Sequence, residues 1–421
     1  MTSKPNINYT LKHDLCTGCG ICEGVCPNEA ITTIVKNGRF LPSIDNSLCK
    51  NSKGCHRCYD ACPGVGVYLT ILAKEYFTDE GIKEDNICGR YLKCYTGFSS
   101  NYNIRCHSAS GGVVTQFLIW LLEKEKIDGA VVTKFDKDSL FKVKSVIATT
   151  KEDILAAKSS KYAPVSLHDA VKKLKEAPDG RYVVVGLPCH IEGMRKLMGI
   201  DRKLREKVVG LFGIYCSGSR TFYMTEYLMK SRNIDIDKLN FLAYRDNGCL
   251  GGMVAKGDNI DFYEDYQSYC HPLRTMFHPR RCLLCVDHFA ELADISFGDI
   301  HVEPYKNDKV GVNSLVVRST EWHDLLLEAA QFGCLELSDL DKDILIKSQT
   351  MAKIKKSRYM GTGLFLKKLG RVVPDYDTTY GAGIKPQYII GYIRNSFDRF
   401  IGSHKFLWPL IKVIKSKVNI H

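Results

Sequence analysis

Between residues 108 and 218 the apolar positions keep two rhythms in turn, a period of about 3.6 residues and short continuous runs. The first unit, SASGGVVTQFLIWLLEKEKIDGAVVTK, predicts a Gly-Gly turn, an amphipathic helix, a break at Asp128-Gly129 and an apolar strand. KEDILAAK and LHDAVKKLKEA repeat the helical period. RYVVVGLPCHIEGMRKLMG reads as a buried strand, a Gly/Pro turn and a helix, and VVGLFGIYCSG as a strand ending in a turn. Strand–turn–helix units at this spacing predict an α/β domain that binds its ligands at the carboxyl ends of strands. Upstream, ITTIVKNGRFLPSI places Asn37-Gly38 between β-rich segments, which predicts a hairpin with a type I′ turn. Residues 76–106, with Gly81, Gly89 and scattered charges, read as a connector. Beyond about residue 366 the chain turns Gly-, Tyr- and Lys-rich and ends in a basic amphipathic tail.

Composition narrows the class. The chain has 421 residues, of which 45% are apolar, enough for two or three globular domains. The longest apolar run, Val113 to Leu122, is broken by Thr115 and Gln116 and cannot span a bilayer. MTSKPNINYT has neither an apolar core nor a small-residue cleavage site, so a cytoplasmic address is expected. In that reducing compartment 18 cysteines point to metal or catalysis rather than disulfides. The net charge of +12 is spread along the chain, which suits a solubility feature or a docking surface for acidic partners better than nucleic acid.

The cysteines themselves carry the chemistry. Cys16, Cys19, Cys22 and Cys26, followed by Pro27, match the bacterial ferredoxin run in full. Three close thiolates take three corners of one cubane, and the fourth, before the proline, turns to the other cluster. The second run is Cys49, Cys55, Cys58 and Cys62, then Pro63, with KNSKG lengthening its first gap. A longer loop still closes at little entropic cost. The expected assignment is therefore Cys16, Cys19, Cys22 and Cys62 on one 4Fe-4S cluster, with Cys49, Cys55, Cys58 and Cys26 on the other. Zinc knuckles, the competing use of CxxC pairs, require neither the four-cysteine runs nor the prolines.

Cys189 in GLPCH, Cys216 in IYCSG, and Cys282 with Cys285 in CLLC follow apolar strands or form a CxxC pair. They could converge on a further cluster; a lone CxxC is equally at home with zinc, a redox dithiol or a plain core position. Cys88, Cys94, Cys106, Cys249, Cys270 and Cys334 are read as buried or incidental.

SASGGVVTQFLIWLLEKEKIDGAVV, SSKYAPV, GLPCHIEGMRK, GIYCSG and CLLCVDHFAELADISFGD, in that order, resemble the coenzyme F(420) hydrogenase/dehydrogenase beta-subunit family of iron–sulfur flavoproteins. The resemblance implies a non-covalent FAD and a third 4Fe-4S cluster on Cys189, Cys216, Cys282 and Cys285. It further implies flavin contacts from Ser110, Gly111 and Gly112 and from Ser160, Lys161 and Tyr162. Glycine backbone at a helix start suits a pyrophosphate, and Lys161 offers it a positive charge; an ordinary helix cap by Ser110 is the alternative. Asp294 and Asp299 either line the site or cap local backbone. His190 stands where the family usually has glutamine, and His301 where it has a bulkier aromatic; His190 is a candidate proton donor at the flavin or a hydrogen-bonded structural residue.

The expected architecture is an α+β ferredoxin-like two-cluster module at 8–75, a connector at 76–106, an α/β flavin-binding domain at 107–365, and an extension at 366–421. The expected function is an iron–sulfur flavoprotein oxidoreductase, relaying electrons in either direction between a redox partner protein (a ferredoxin-type donor or reductase) and an unidentified two-electron, small-molecule acceptor; a non-catalytic electron-transfer subunit of a larger redox complex is the alternative. The tail RNSFDRFIGSHKFLWPLIKVIKSKVNIH interleaves aromatic and basic residues around Pro409. It suits a peripheral membrane contact at the inner face of the membrane, or a helix packed on the protein's own body.

Overall fold

The structure is a computed structural model that describes residues 4–136, 139–381 and 383–416. Its centre is an eight-stranded sheet, in spatial order Leu335–Asp339, Lys93–Ser99, Asn313–Val317, Ile295–Asp299, Val208–Ile214, Tyr182–Gly186, Gly129–Asp136 and Ser139–Ala148. The strands starting at Ile295, Val208, Tyr182 and Gly129 run parallel, and the other four add antiparallel to the two sides. Successive side chains on a strand point to opposite faces. Tyr182 and Val184 accordingly face one core with the helices His168–Glu176 and Pro188–Met198. Val183 and Phe212 face another, with Val113–Glu123 and Thr320–Gln331. These apolar-sided helices cover both faces, as a parallel centre requires.

The N-terminal module packs directly on this domain. Ile7, Ile21, Cys22, Val25 and Cys62 belong to the same buried cluster as Val184, Ile191 and Leu211. Within it, Ile31–Lys36 pairs with Arg39–Ile44, and Lys36 opposite Arg39 leaves Asn37-Gly38 as the two-residue turn. Both turn residues have positive φ, 52° and 67°, the type I′ signature. A late segment closes the module, since Asp375–Tyr376 lies parallel to Gly66–Val67.

The connector needs correcting. Residues 93–99 form a strand of the central sheet, flanked on both sides, with Cys94, Tyr95, Thr96 and Ser99 buried. Its partners lie more than 200 residues downstream, so local charges and glycines gave no hint of it. A second sheet, Leu239–Asp246, Gly252–Gly257 and Ile260–Asp265, forms a side unit with the helices Phe222–Ser231 and Tyr266–Leu273.

Candidate functional site

The described residues include all 18 cysteines, and each is a free thiol. Cys16, Cys19, Cys22 and Cys62 line one small void. Cys26, Cys49, Cys55 and Cys58 line a second. The local chain creates these gatherings. Gly18 and Gly20 take φ of 78° and 79°, bending the CTGCG loop around sulfur. At Gly20 a Cβ would come within 2.2 Å of Ser166 Oγ and 2.6 Å of the His168 nitrogen, so only glycine lets the loop meet the second domain. Backbone N–H groups of Gly18, Ala30 and Gly64 point at the sulfurs of Cys16, Cys26 and Cys62, at 3.4, 3.3 and 3.2 Å.

Burial, then the charge of Cys62 and Cys19, pushes the Cys16 thiol up to about 12. Cys22 is raised well above its ordinary value for the same reasons, with Cys58 of the second set among the charges that reach it. Four thiols that oppose one another's ionisation need a cationic core to hold them as thiolates. Among the described residues no three Cys, His, Asp or Glu side chains close at single-ion spacing. A cubane instead spreads its four thiolates over four corners around a void, and both sets fit that group.

Cys189, Cys216, Cys282 and Cys285 also converge. Burial first, then the charges of Cys19, Cys216, Glu192 and Cys282, raises Cys189 well above the usual thiol range. The reach of Cys19 puts the first set next to the third. Burial alone would raise Cys285, yet Lys355 and Arg281 beside it bring it down overall. Lys355 is 1% exposed and donates to the Cys216 carbonyl at 3.0 Å, while Arg358 donates to the Cys282 carbonyl at 3.2 Å. Arg281 spans the gap between sets, donating to the carbonyls of Pro63 and Gly64 at 2.8 and 2.9 Å. Three cations around four thiols, Lys355 and Arg281 buried and Arg358 half-buried, suit an anionic cluster better than a neutral dithiol, since burying unpaired charge is expensive.

A cavity of about 390 Å³ opens at the carboxyl ends of the parallel strands, and Cys216 is part of its wall. Ser110, Gly112, Ser160, Lys161, Tyr162 and His190 line it as well. Gly111 does not: it sits behind the wall, where a Cβ would meet Gly97 O at 2.6 Å and Asn313 N at 2.8 Å. The helix Val113–Glu123 is capped from a distance, its first N–H donating to Asn313 Oδ1 at 3.1 Å, and Ser110 Oγ donates to Val312 O at 2.7 Å. Ser110 is therefore not the cap; Gly112 occupies that position in a left-handed conformation.

Lys161 donates to the carbonyls of Ala157, Lys158 and Ser159 at 2.5, 2.7 and 3.1 Å, closing the end of the helix Lys151–Ala156. Burial and then the charge of Lys158 bring its ammonium down to about 7. His190 is committed on both sides: Nδ1 accepts from the Leu187 N–H at 3.2 Å, and Nε2 lies 3.2 Å from Val165 O. Burial lowers its pKa to about 4, so the ring is neutral and holds the strand–helix turn. That geometry favours the structural role over proton donation.

Several wall residues carry no local motif. Arg245 pairs with Asp299 at 2.7 Å and stacks over Tyr266, 5.0 Å from its centroid; Tyr162 lies against the same ring at 5.5 Å. His288 reaches the Cys216 carbonyl at 3.1 Å and Gln349 at 3.0 Å, and Gln349 donates to Asp299 O at 2.6 Å. Asp299 thus lines the cavity, whereas Asp294 pairs with Arg195 at 2.8 Å and caps the Leu211 N–H. Arg220, Arg245, Lys158 and Lys161 face the cavity against the single carboxylate Asp299. Such a wall fits an anionic ligand with an aromatic portion, and FAD has both.

Known proteins resemble this chain in sequence and fold. Residues 94–172 and 179–343 match the N-terminal and C-terminal parts of the coenzyme F(420) hydrogenase/dehydrogenase beta subunit, and residues 9–32 match a 4Fe-4S binding domain. The chain is 28% identical over 334 residues to a coenzyme F(420)-dependent sulfite reductase of Methanocaldococcus jannaschii, covering 76% of this chain but only 46% of that protein. It is 26% identical over 330 residues to one of the subunits of the F(420)H(2) dehydrogenase of Methanosarcina mazei, 75% of this chain and 82% of the relative. A chain in the structure of the F(420)-reducing [NiFe] hydrogenase complex of Methanosarcina barkeri superposes with a TM-score of 0.54 at 21% identity, over 71% of this chain and all of that one. Both halves of the beta subunit, in order and behind a 4Fe-4S domain, make this chain a member of the coenzyme F(420) hydrogenase/dehydrogenase beta-subunit family.

Proposed function

We propose that the protein is an oxidoreductase that relays electrons between a ferredoxin-type donor and a two-electron acceptor, through three 4Fe-4S clusters and an FAD. One observation carries the reading: the thiol sets form a row that ends at the cavity. Cys58 of the second set acts on Cys22 of the first, Cys19 of the first on Cys189 of the third, and Cys216 of the third is cavity wall. When bound, iron–sulfur clusters supply one-electron steps, and a flavin couples them to hydride chemistry.

The protein's own groups set the conditions. Cys26, Cys49 and Cys55 are half-buried, and exposed Lys50 and Lys53 flank them in the KNSKG loop, a docking point for an acidic donor. Lys355, Arg281 and Arg358 offset negative charge at the third set. Ser160, Tyr162, Arg245 and Tyr266 would hold the flavin's phosphates and ring system, with Lys161, engaged with three carbonyls, fixing the wall beside them. His190 keeps the turn that carries Cys189. The acceptor is small, and a deazaflavin coenzyme of the kind in the relatives' names is one candidate.

A second reading has its own support, because the Methanosarcina mazei relative is named as a subunit and the Methanosarcina barkeri chain sits in a complex. Here the chain wires electrons to a partner that holds the substrate. Anaerobic purification with assay of iron, acid-labile sulfide and released flavin tests the core claim. About twelve irons and one FAD per chain are expected; eight irons without flavin would leave only a ferredoxin joined to an unassigned domain. Steady turnover of a small acceptor by the isolated chain separates enzyme from wire.

A further inference from the structure

The C-terminal helix Pro386–Ser403 and the following helix Pro409–Ser416 touch each other and have two different apolar faces. One is satisfied internally: Ile401, Trp408 and Ile411 are buried with Met224, Leu228 and Phe277. That packing explains how the tail is held to the body. It leaves the other face unexplained. Ile390, Ile393, Phe397 and Phe400 recur at the spacing of a single helical stripe, and all four are exposed, Phe397 by 60%. Phe406, 76% exposed, and Leu410 extend the apolar surface onto the second helix. Isolated exposed apolar residues need no reason, but a contiguous set of this size marks an interaction surface.

Charge identifies the occupant. Lys385, Arg394 and Lys412 are exposed among these residues. Asp398 is the sole acid between residues 386 and 416; it is buried and accepts from Thr275 Oγ1 at 2.5 Å. The outward surface therefore has an aromatic and aliphatic centre with a cationic rim and no carboxylate. We infer that this face lies on an anionic lipid surface, with Phe397, Phe400 and Phe406 at the acyl boundary and the cations among the headgroup phosphates. A second copy is a poorer occupant, because a two-fold contact would set cation against cation with no acid between them. Among the described residues no helix is long and apolar enough to cross a membrane, so the contact is peripheral. The inference does not depend on the redox reading.

The test uses the full-length, cluster-loaded protein floated with vesicles of phosphatidylcholine alone or mixed with phosphatidylglycerol. The protein is expected to float with the mixed vesicles and to stay behind with the neutral ones. The triple substitution Ile393→Ser, Phe397→Ser, Phe406→Ser and the charge reversal Arg394→Glu, Lys412→Glu each lower the floated fraction by about tenfold or more. Both variants should keep the parent's visible absorption and melting temperature, since every altered side chain is exposed. Absence of flotation with either vesicle, equal flotation with both, or flotation indifferent to the triple substitution would overturn the inference. So would a variant whose only change is its size on gel filtration, which would assign the face to a protein contact.

Discussion

His190 shows how a side chain with the right chemistry is assigned by what surrounds it. Its position after the Pro-Cys pair, at the mouth of a cofactor-sized cavity, suits a proton donor; its two hydrogen bonds and its pKa of about 4 do not. Burial disfavours the imidazolium, so the unfolded chain binds a proton below the ordinary value of about 6.5 while the folded one waits until about 4. Across that window stability falls as pH falls. His190→Gln keeps a donor and an acceptor but cannot titrate. Its melting temperature should therefore drop less than the parent's between pH 7 and pH 5, with turnover at pH 7 within a few-fold of the parent. His190→Ala should lose about 1–2 kcal/mol at pH 7, having removed the cap without replacing it, and that deficit should shrink toward pH 5, where the parent's own ring lowers its stability. A variant His190→Gln that melts normally yet has lost turnover would return the ring to the mechanism. Lys161 makes a related point: a lysine read as a phosphate ligand is already engaged with three carbonyls, and its pKa of about 7 reflects burial rather than a bound anion.

What could be read ahead of the structure follows the range of the forces involved. The helix Val113–Glu123, the strand–turn–helix at 182–198 and the Asn37-Gly38 hairpin are written locally, in period and punctuation, and they form at those places. The strand at 93–99 is held by partners remote in sequence and was not foreseen; the side sheet at 239–265, also not foreseen, is instead a run of local hairpins, each strand paired with the next along the chain. The cavity wall divides the same way. Ser110, Ser160 and Tyr162 lie in recognisable segments, whereas Arg245, Tyr266 and Gln349 arrive from elements that only tertiary packing brings near. Lys355 lies in a run, MAKIKKSR, whose charges suggest a solvated helix, yet Lys355 and Lys356 are both buried. Contact between elements also supplies a test. The CTGCG loop meets the start of the helix His168–Glu176 at Gly20, with positive φ and no room for a Cβ. Gly20→Ala should displace Cys19 and Cys22 together, lowering iron content by about four per chain and the melting temperature with it. Full iron content in that variant would show that the loop yields and that the close approach does not hold the first set.

Under the proposed function the whole molecule is a path for electrons, and its direction can be tested apart from its chemistry. The second thiol set lies toward the surface, the first is buried among the residues that join module to domain, and the third shares a wall with the cavity. Electron transfer weakens steeply with distance, so a large protein donor has to enter at the outer set, while a small reductant has access to the cavity itself. Cys55→Ser with Cys58→Ser removes two ligands from the outer set and touches no residue of the other two. The variant should retain about eight of about twelve irons, and its flavin should still be reduced by dithionite. Reduction by a protein donor should slow by about a hundredfold or more, equivalent to about 2.7 kcal/mol in the barrier. Raising ionic strength should weaken the parent's reaction with an acidic donor, because Lys50 and Lys53 flank the entry. If the variant accepts electrons from the protein donor at the parent's rate, entry lies elsewhere and the row of thiols is not the route.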